Sequence, residues 1–321
     1  MAARWTRCTS ALALCLAFAG DAAAFDVQGH RGARGRAPEN TLAAFRKAIE
    51  LGVSTIETDV AVTRDDVVVI SHDPYLNPAL VRDRDGRWLR EPGPAIRTLT
   101  FDELAAFDIG RVDPQSNYAK SFPLQRASDG ERFPTLDAVL ALAKQASVRV
   151  NIETKITPTS GERTPNAETF ARLVVERVRA ASMIQRVTIQ SFDWRTLVAV
   201  KSMAPDIATG CLTAEGERFD TVRADMSARS PWHAGLALAD HGGSLPRLAR
   251  AAGCAIWSPD AASVTRERVE DAHAAGLAVL PWTVNEPAEM TRLIDLGVDG
   301  LITDYPDWLR DVAKSKRLSL R

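Results

Sequence analysis

The chain has 321 residues, 45% hydrophobic and 25% charged, the balance of an ordinary folded globular protein. Forty Lys and Arg against 41 Asp and Glu leave a net charge of −1. With no long basic run, that balance argues against a nucleic-acid partner, which needs a basic face.

The first 24 residues read as a secretory signal peptide. Arg4 and Arg7 make a positive start, Ala11 to Gly20 form the apolar core, and Ala22-Ala23-Ala24 is a small-residue cleavage site. The apolar run is about half of the roughly 20 residues that a membrane span needs, so an uncleaved anchor is the poorer alternative. A lipoprotein anchor on Cys15 is disfavoured by the bulky Leu14. The mature chain is expected to start at Phe25, to be secreted into the periplasm or beyond, and to have no stable membrane insertion. Cys8 and Cys15 leave with the leader; Cys211 and Cys254 remain. An oxidising compartment allows a disulfide between them, but their spacing matches no metal or redox motif, and two buried free thiols are the favoured reading.

From residue 25 onwards, short β-rich runs alternate with amphipathic helical stretches, which argues for an α/β fold with a parallel sheet. Strands are predicted at 25–29, 54–60, 66–71, 148–153, 186–191, 207–212, 254–258, 277–283 and 299–303. That is one more than the eight of a (β/α)8 barrel. The extra strand is 66–71. Only the short polar turn Thr63-Arg64-Asp65-Asp66 precedes it, and a parallel partner needs a crossover of a dozen or more residues. It therefore runs antiparallel, as the return arm of a hairpin. Helices are predicted over 40–51, 135–146, 166–181 and 287–296. Residues 74–132, rich in Pro, Asp and Arg, fit no βα unit and read as an irregular insertion on the hairpin. Setting leader and insertion aside leaves about 240 residues, close to the roughly 250 of a (β/α)8 TIM barrel. Residues 25–321 are thus read as one such domain. A second irregular stretch, about 213–247, is expected to cross the same face.

Barrel enzymes carry their sites at the carboxyl ends of the strands, and the polar residues fall there. Strand one ends in His30-Arg31-Gly32, strand two carries Glu57-Thr58-Asp59, the hairpin returns to His72-Asp73, and the next strand ends in Glu153-Thr154-Lys155. Period two puts Glu57 and Asp59 on one face of their strand, and Glu153 and Lys155 on one face of theirs. Carboxylates buried unpaired against helices would be costly, so they belong in the lumen, where a cation neutralises them. Three carboxylates without a soft ligand suit one hard divalent cation, Mg²⁺ or Ca²⁺. The competing reading is an acidic cluster neutralised by Arg31 and Lys155 alone. Two histidines beside such a site suit acid–base work on an anionic ester, with Arg31 and Lys155 gripping phosphate. His233, His241 and His273 are expected at the surface.

These residues resemble the glycerophosphodiester phosphodiesterase signature. The resemblance runs through His30-Arg31-Gly32, Pro38-Glu39-Asn40-Thr41, Glu57-Thr58-Asp59-Val60 and His72-Asp73. It continues in Glu153-Thr154-Lys155, Gln190-Ser191-Phe192, Trp282-Thr283-Val284-Asn285 and Thr303-Asp304-Tyr305-Pro306. It implies a (β/α)8 barrel that hydrolyses glycerophosphodiesters to glycerol 3-phosphate and an alcohol, by water or by the substrate's own 2-hydroxyl. It implies His30 and His72 as the acid–base pair and Glu57, Asp59 and Glu153 as metal ligands. Arg31 and Lys155 would bind phosphate, Glu39 would lie near His30, and Trp282 would wall the glycerol side. Asp304-Tyr305-Pro306 is read as structural, with Pro306 ending the last strand. The alternative within enzymes is a lysophospholipase D or sphingomyelinase-D-like activity on the same barrel. The polar 74–132 insertion favours small, water-soluble diesters instead. A barrel that only binds such a diester would lack a catalytic group, and none is missing.

Overall fold

The computed structural model of the protein describes residues 24–217, 219–222 and 229–321. The expected leader, apart from Ala24, lies outside the described residues, as does part of the 213–247 stretch. The chain runs β1 (Asp26–Gly29), α1 (Leu42–Glu50), β2 (Thr55–Val62), β3 (Val68–Ile70), α2 (Phe101–Leu104), α3 (Asn117–Ser121), α4 (Leu136–Ala146) and β4 (Arg149–Thr154). It continues through α5 (Ala167–Ala180), β5 (Val187–Ser191), α6 (Trp194–Met203), β6 (Ala208–Thr213), α7 (Leu245–Ala251) and β7 (Ile256–Pro259). It closes with α8 (Arg266–Ala274), β8 (Ala278–Val279), α9 (Pro287–Leu296), β9 (Gly300–Thr303) and α10 (Pro306–Ser315).

Eight parallel strands stand in the order β8-β7-β6-β5-β4-β2-β1-β9, with β3 antiparallel on β2. The seam between β8 and β9 is closed by backbone bonds, Asp299 N to Val279 O at 3.0 Å and Ile302 N to Pro281 O at 3.0 Å. The result is a (β/α)8 barrel carrying the expected hairpin. Alternation along the strands sorts the residues. Ile56 and Val60 of β2, and Val150 and Ile152 of β4, pack into the core with the helices; Glu57, Asp59, Asn151 and Glu153, which alternate with that face, turn to the lumen. The lumen floor is polar: Asn151 Nδ2 donates to Gln28 Oε1 at 2.9 Å and to Gln190 Oε1 at 2.8 Å. Helix starts are capped as their sequences imply. Thr41 Oγ1 accepts from Ala44 N, and Thr135 Oγ1 from Ala138 N, each satisfying an orphan amide of a first turn.

The 74–132 insertion is more ordered than its composition suggests. It holds α2, α3 and a small apolar cluster of its own, with Leu76, Val81, Ile96, Leu104 and Ile109 packed on Val69 and Phe133. Thr100 and Glu103 form a capping box at the start of α2, a pattern visible in the sequence as Thr-x-x-Glu.

Two expectations are corrected. Cys211 and Cys254 are joined as a disulfide, with Cα atoms 5.9 Å apart. Cys211 lies on β6 and Cys254 just before β7, and the pairing of those neighbouring strands brings them together. His233 is buried at 1% exposure and stacks on Trp194 with ring centroids 4.4 Å apart, so it is a packing residue rather than a surface one. His273 is exposed and pairs with Asp299 at 2.9 Å.

The disulfide ties residues 43 apart in sequence, and loops of that length are stabilised by about 2–4 kcal/mol. Reduction should lower the urea midpoint accordingly, and thiol titration of the denatured, unreduced mature protein should find no free cysteine. Two titratable thiols would contradict the bridge.

Candidate active site

The site is built at the carboxyl ends of β1, β2, β4 and β9. After β1 the chain turns sharply through His30 to Gly32. A Cβ on Gly29 would lie 2.1 Å from Gly32 O. Gly32 itself has φ +89 and sits where a Cβ would meet the Ala44 backbone at 2.7 Å. Only glycine fits both positions, and the tight turn presses the 30–32 segment onto α1. Arg31 and Asn40 hold left-handed φ values of 50 and 56, an uncommon conformation for such residues and one that clusters at functional sites.

β2 and β4 pair with Asp59 opposite Glu153. Glu57, Asp59 and Glu153 are all buried, and one carboxylate oxygen of each lies within 4.8 Å of the others. Their supports are specific. Glu57 Oε2 accepts from Arg31 N at 2.8 Å and Oε1 from Gln190 Nε2 at 3.1 Å. Asp59 Oδ2 accepts from Asn40 Nδ2 at 2.9 Å and lies 3.3 Å from Arg31 Nε. Glu153 Oε1 accepts from Lys155 Nζ at 2.6 Å. Asp59 Oδ1 is buried with no hydrogen-bond partner, its nearest cation being Lys155 Nζ at 3.7 Å.

That cluster holds more negative charge than its surroundings settle. Burial and the charges of Asp59 and Glu153 push the Glu57 carboxyl well above the usual carboxylate range. Burial also raises Glu153, against the pull of Lys155. Burial would raise Asp59 too, but Arg31, His72 and Lys155 outweigh it and hold it below the usual range. An unpartnered oxygen on an ionised Asp59, all-oxygen donors and a neighbour driven to hold a proton together fit a hard divalent cation.

Each histidine is held by a carboxylate at Nδ1. His30 Nδ1 lies 2.8 Å from Asp304 Oδ1. His72 Nδ1 lies 3.0 Å from Asp73 Oδ1, and Asp73 Oδ2 accepts from Asn77 Nδ2 at 2.6 Å. Burial and the nearby Arg34 lower the His30 pKa to about 4. Burial, Arg31 and Lys155 lower His72 well below the usual histidine range. Both rings are therefore neutral near pH 7, each with its Nδ1 against a carboxylate.

His30, Arg31, Glu57, His72, Glu153 and Lys155 open on one cavity of about 130 Å³. Trp282 and Phe192 wall it, packed edge to face with centroids 5.2 Å apart. Asp59 lies behind Arg31 and Lys155. Glu39 does not line this cavity; its Oε1 accepts from Arg31 Nη1 at 2.7 Å and its Oε2 lies 3.8 Å from Arg34 Nη1. Glu39 thus orients the cation expected to hold phosphate. Four contributors carry no site role in the sequence reading: Arg34, and, within the motifs quoted above, Phe192, Asn285 and above all Asp304, which is read there as structural. Asp304 sits at the carboxyl end of β9, and that position was the available signal.

Fold and site together define a barrel hydrolase of the phosphodiester-cleaving kind. Comparison with known proteins agrees. Residues 30–308 match the Glycerophosphoryl diester phosphodiesterase family. The glycerophosphodiester phosphodiesterase of Caldanaerobacter subterraneus subsp. tengcongensis is 30% identical, over 89% of this chain and 96% of its own. That of Bacillus subtilis is 28% identical, over 89% of this chain and 85% of its own. The crystal structure of a Silicibacter pomeroyi protein assigned the same activity superposes with a TM-score of 0.82 at 34% identity, covering 93% of this chain and 96% of that one. The chain belongs to the glycerophosphoryl diester phosphodiesterase family.

Proposed function

We propose that the protein hydrolyses glycerophosphodiesters to sn-glycerol 3-phosphate and an alcohol. His30 and His72 would act as the acid–base pair, and one divalent cation, Mg²⁺ or Ca²⁺, would be held by Glu57, Asp59 and Glu153. The observation that carries this reading is a single cavity on which two neutral imidazoles, Glu57 and Glu153 of the acidic triad, and the cations Arg31 and Lys155 open together. When bound, the cation neutralises phosphate charge and helps orient the ester. Arg31 and Lys155 supply the remaining positive charge, Arg31 as a fork pre-set by Glu39 and Asp59. His30, neutral and holding its Nε2 lone pair, takes the proton from the attacking oxygen. His72 gives one to the leaving oxygen, because an anionic diester beside it offsets the Arg31 and Lys155 charges that depress it. Trp282 and Phe192 keep water from the apolar side of the glycerol.

The lysophospholipase D or sphingomyelinase-D-like alternative needs room for an acyl chain. The apolar cavity beside His72, under Leu80, Val81, Ile109 and Phe133, offers about 30 Å³, space for a water or two. That favours small diesters. Among the described residues no helix is long and apolar enough to cross a membrane. The Cys211–Cys254 bridge supports the secreted, periplasmic or extracellular location read from the leader, since disulfides persist in oxidising compartments.

His30→Ala and His72→Ala should each lower kcat by about 10²–10⁴-fold with unchanged circular dichroism; near-normal rates in both would remove the acid–base assignment. Because the His30 pKa is lowered to about 4, kcat/KM should not be limited by protonation of His30 within the usual histidine range. It should fall as pH drops through about 4, where Nε2 takes a proton; an acid limb near 6.5 would contradict this. EDTA should abolish turnover and added Mg²⁺ or Ca²⁺ restore it. Glu57→Gln should weaken cation affinity by at least the roughly 10–100-fold typical of outer-sphere partners, read by calorimetry. Glycerophosphocholine should show a higher kcat/KM than lysophosphatidylcholine, and the reverse order would overturn the substrate class.

A further inference from the structure

Asp304 makes four bonds from a position with no solvent exposure. Oδ1 accepts from Arg34 Nε at 2.8 Å and faces His30 Nδ1 at 2.8 Å. Oδ2 accepts from Arg34 Nη2 at 2.9 Å and from Asn285 Nδ2 at 2.7 Å. The Asp304 amide in turn donates to Asn285 Oδ1 at 2.9 Å, so side chain and backbone are clamped by the same residue. β1 and β9 pair with Gly29 opposite Thr303, which sets the two following residues, His30 and Asp304, side by side.

We propose that Asp304 is a positioning residue for turnover, fixing His30 as the Nδ1–H tautomer with its Nε2 lone pair on the cavity side. An ionised carboxylate accepts and never donates, so the proton between the two must sit on Nδ1. Arg34 and His30 keep Asp304 ionised, pulling its pKa well below the usual range against the effect of burial. Asp304 also stabilises the positive charge that His30 gains when it takes the substrate's proton. Without it, the charges facing His30 would be Arg34 and Arg31, both of which oppose that gain. Asn285 and Arg34 hold the carboxylate in place. This inference rests on the reading of His30 as the base.

The test compares Asp304→Asn, Asn285→Ala and His30→Ala in the full mature protein with glycerophosphocholine and saturating cation. Asp304→Asn should lower kcat about 10²–10³-fold with KM within about threefold. The acid limb of its residual activity should move to lower pH, since a group that raises the His30 pKa is gone. Asn285→Ala, which breaks the clamp but leaves the His30 contact, should lose less than about tenfold and keep its limb. If His30→Ala is inactive while Asp304→Asn stays within about threefold of the parent, the inference falls and the base assignment stands. Equal losses in Asp304→Asn and Asn285→Ala with an unmoved limb would mark Asp304 as structural only and overturn it. Activity in His30→Ala overturns the base reading itself. Should Asp304→Asn not fold, ¹⁵N shifts of His30 in the parent protein decide: a protonated Nδ1 at pH 7 supports the inference, and an unprotonated one overturns it.

Discussion

Three carboxylates share a space in which three negative charges cannot comfortably coexist, and most of the site's architecture follows from that constraint. Glu57, Asp59 and Glu153 are buried in the lumen within 4.8 Å of one another. Unpaired ions at that depth would destabilise the fold by several kcal/mol each. The barrel answers with Arg31 and Asn40 on the same Oδ2 of Asp59, and Lys155 on Glu153. The compensation stays incomplete, because Asp59 Oδ1 has no hydrogen-bond partner and Glu57 is driven toward protonation. A structural ion network would have satisfied both. Such incomplete compensation, beside a cavity lined by Glu57 and Glu153, fits a hard divalent cation.

The same constraint bears on the histidines. Burial depresses both rings, and nearby cations add to it, those on the triad acting mainly on His72. Arg34 opposes a proton on His30, and Arg31 and Lys155 oppose one on His72. Asp304 and Asp73 each hold the Nδ1 of one ring. Charge balance of the triad and readiness of the bases are thus one electrostatic arrangement.

Much of this was legible in the sequence, for reasons that can be named. The five residues between β2 and β3 are too few for a crossover, so the hairpin and the place of His72 followed from chain length alone. Period two put Glu57 with Asp59, and Glu153 with Lys155, on one face of their strands, and the β2–β4 register sets Asp59 opposite Glu153. What stayed hidden depends on neighbours in space. The Cys211–Cys254 pairing requires knowing that β6 and β7 adjoin. The burial of His233 depends on its stacking against Trp194 from a loop with no periodicity. Asp304 was obscured because Pro306 two residues later gave a sufficient structural reason for the motif, although the strand-end rule that singled out His30 applied to it equally.

Arg34 links the insertion to this arrangement. Its guanidinium grips Asp304 and also lies 4.6 Å from the centroid of Phe122, with Nη1 donating to Tyr118 Oη at 3.3 Å. Tyr118 belongs to α3 and Phe122 follows it, and Gln125 Nε2 donates to Arg34 O at 2.7 Å. The insertion is therefore joined to the acid–base machinery at both of its ends. It begins just after His72, which it covers through Asp73 and Asn77, and it returns past Arg34, which sets the charge around His30. A segment that looks like an ornament on a hairpin thus braces a partner of each histidine: Asn77 holds Asp73, and Tyr118, Phe122 and Gln125 hold Arg34.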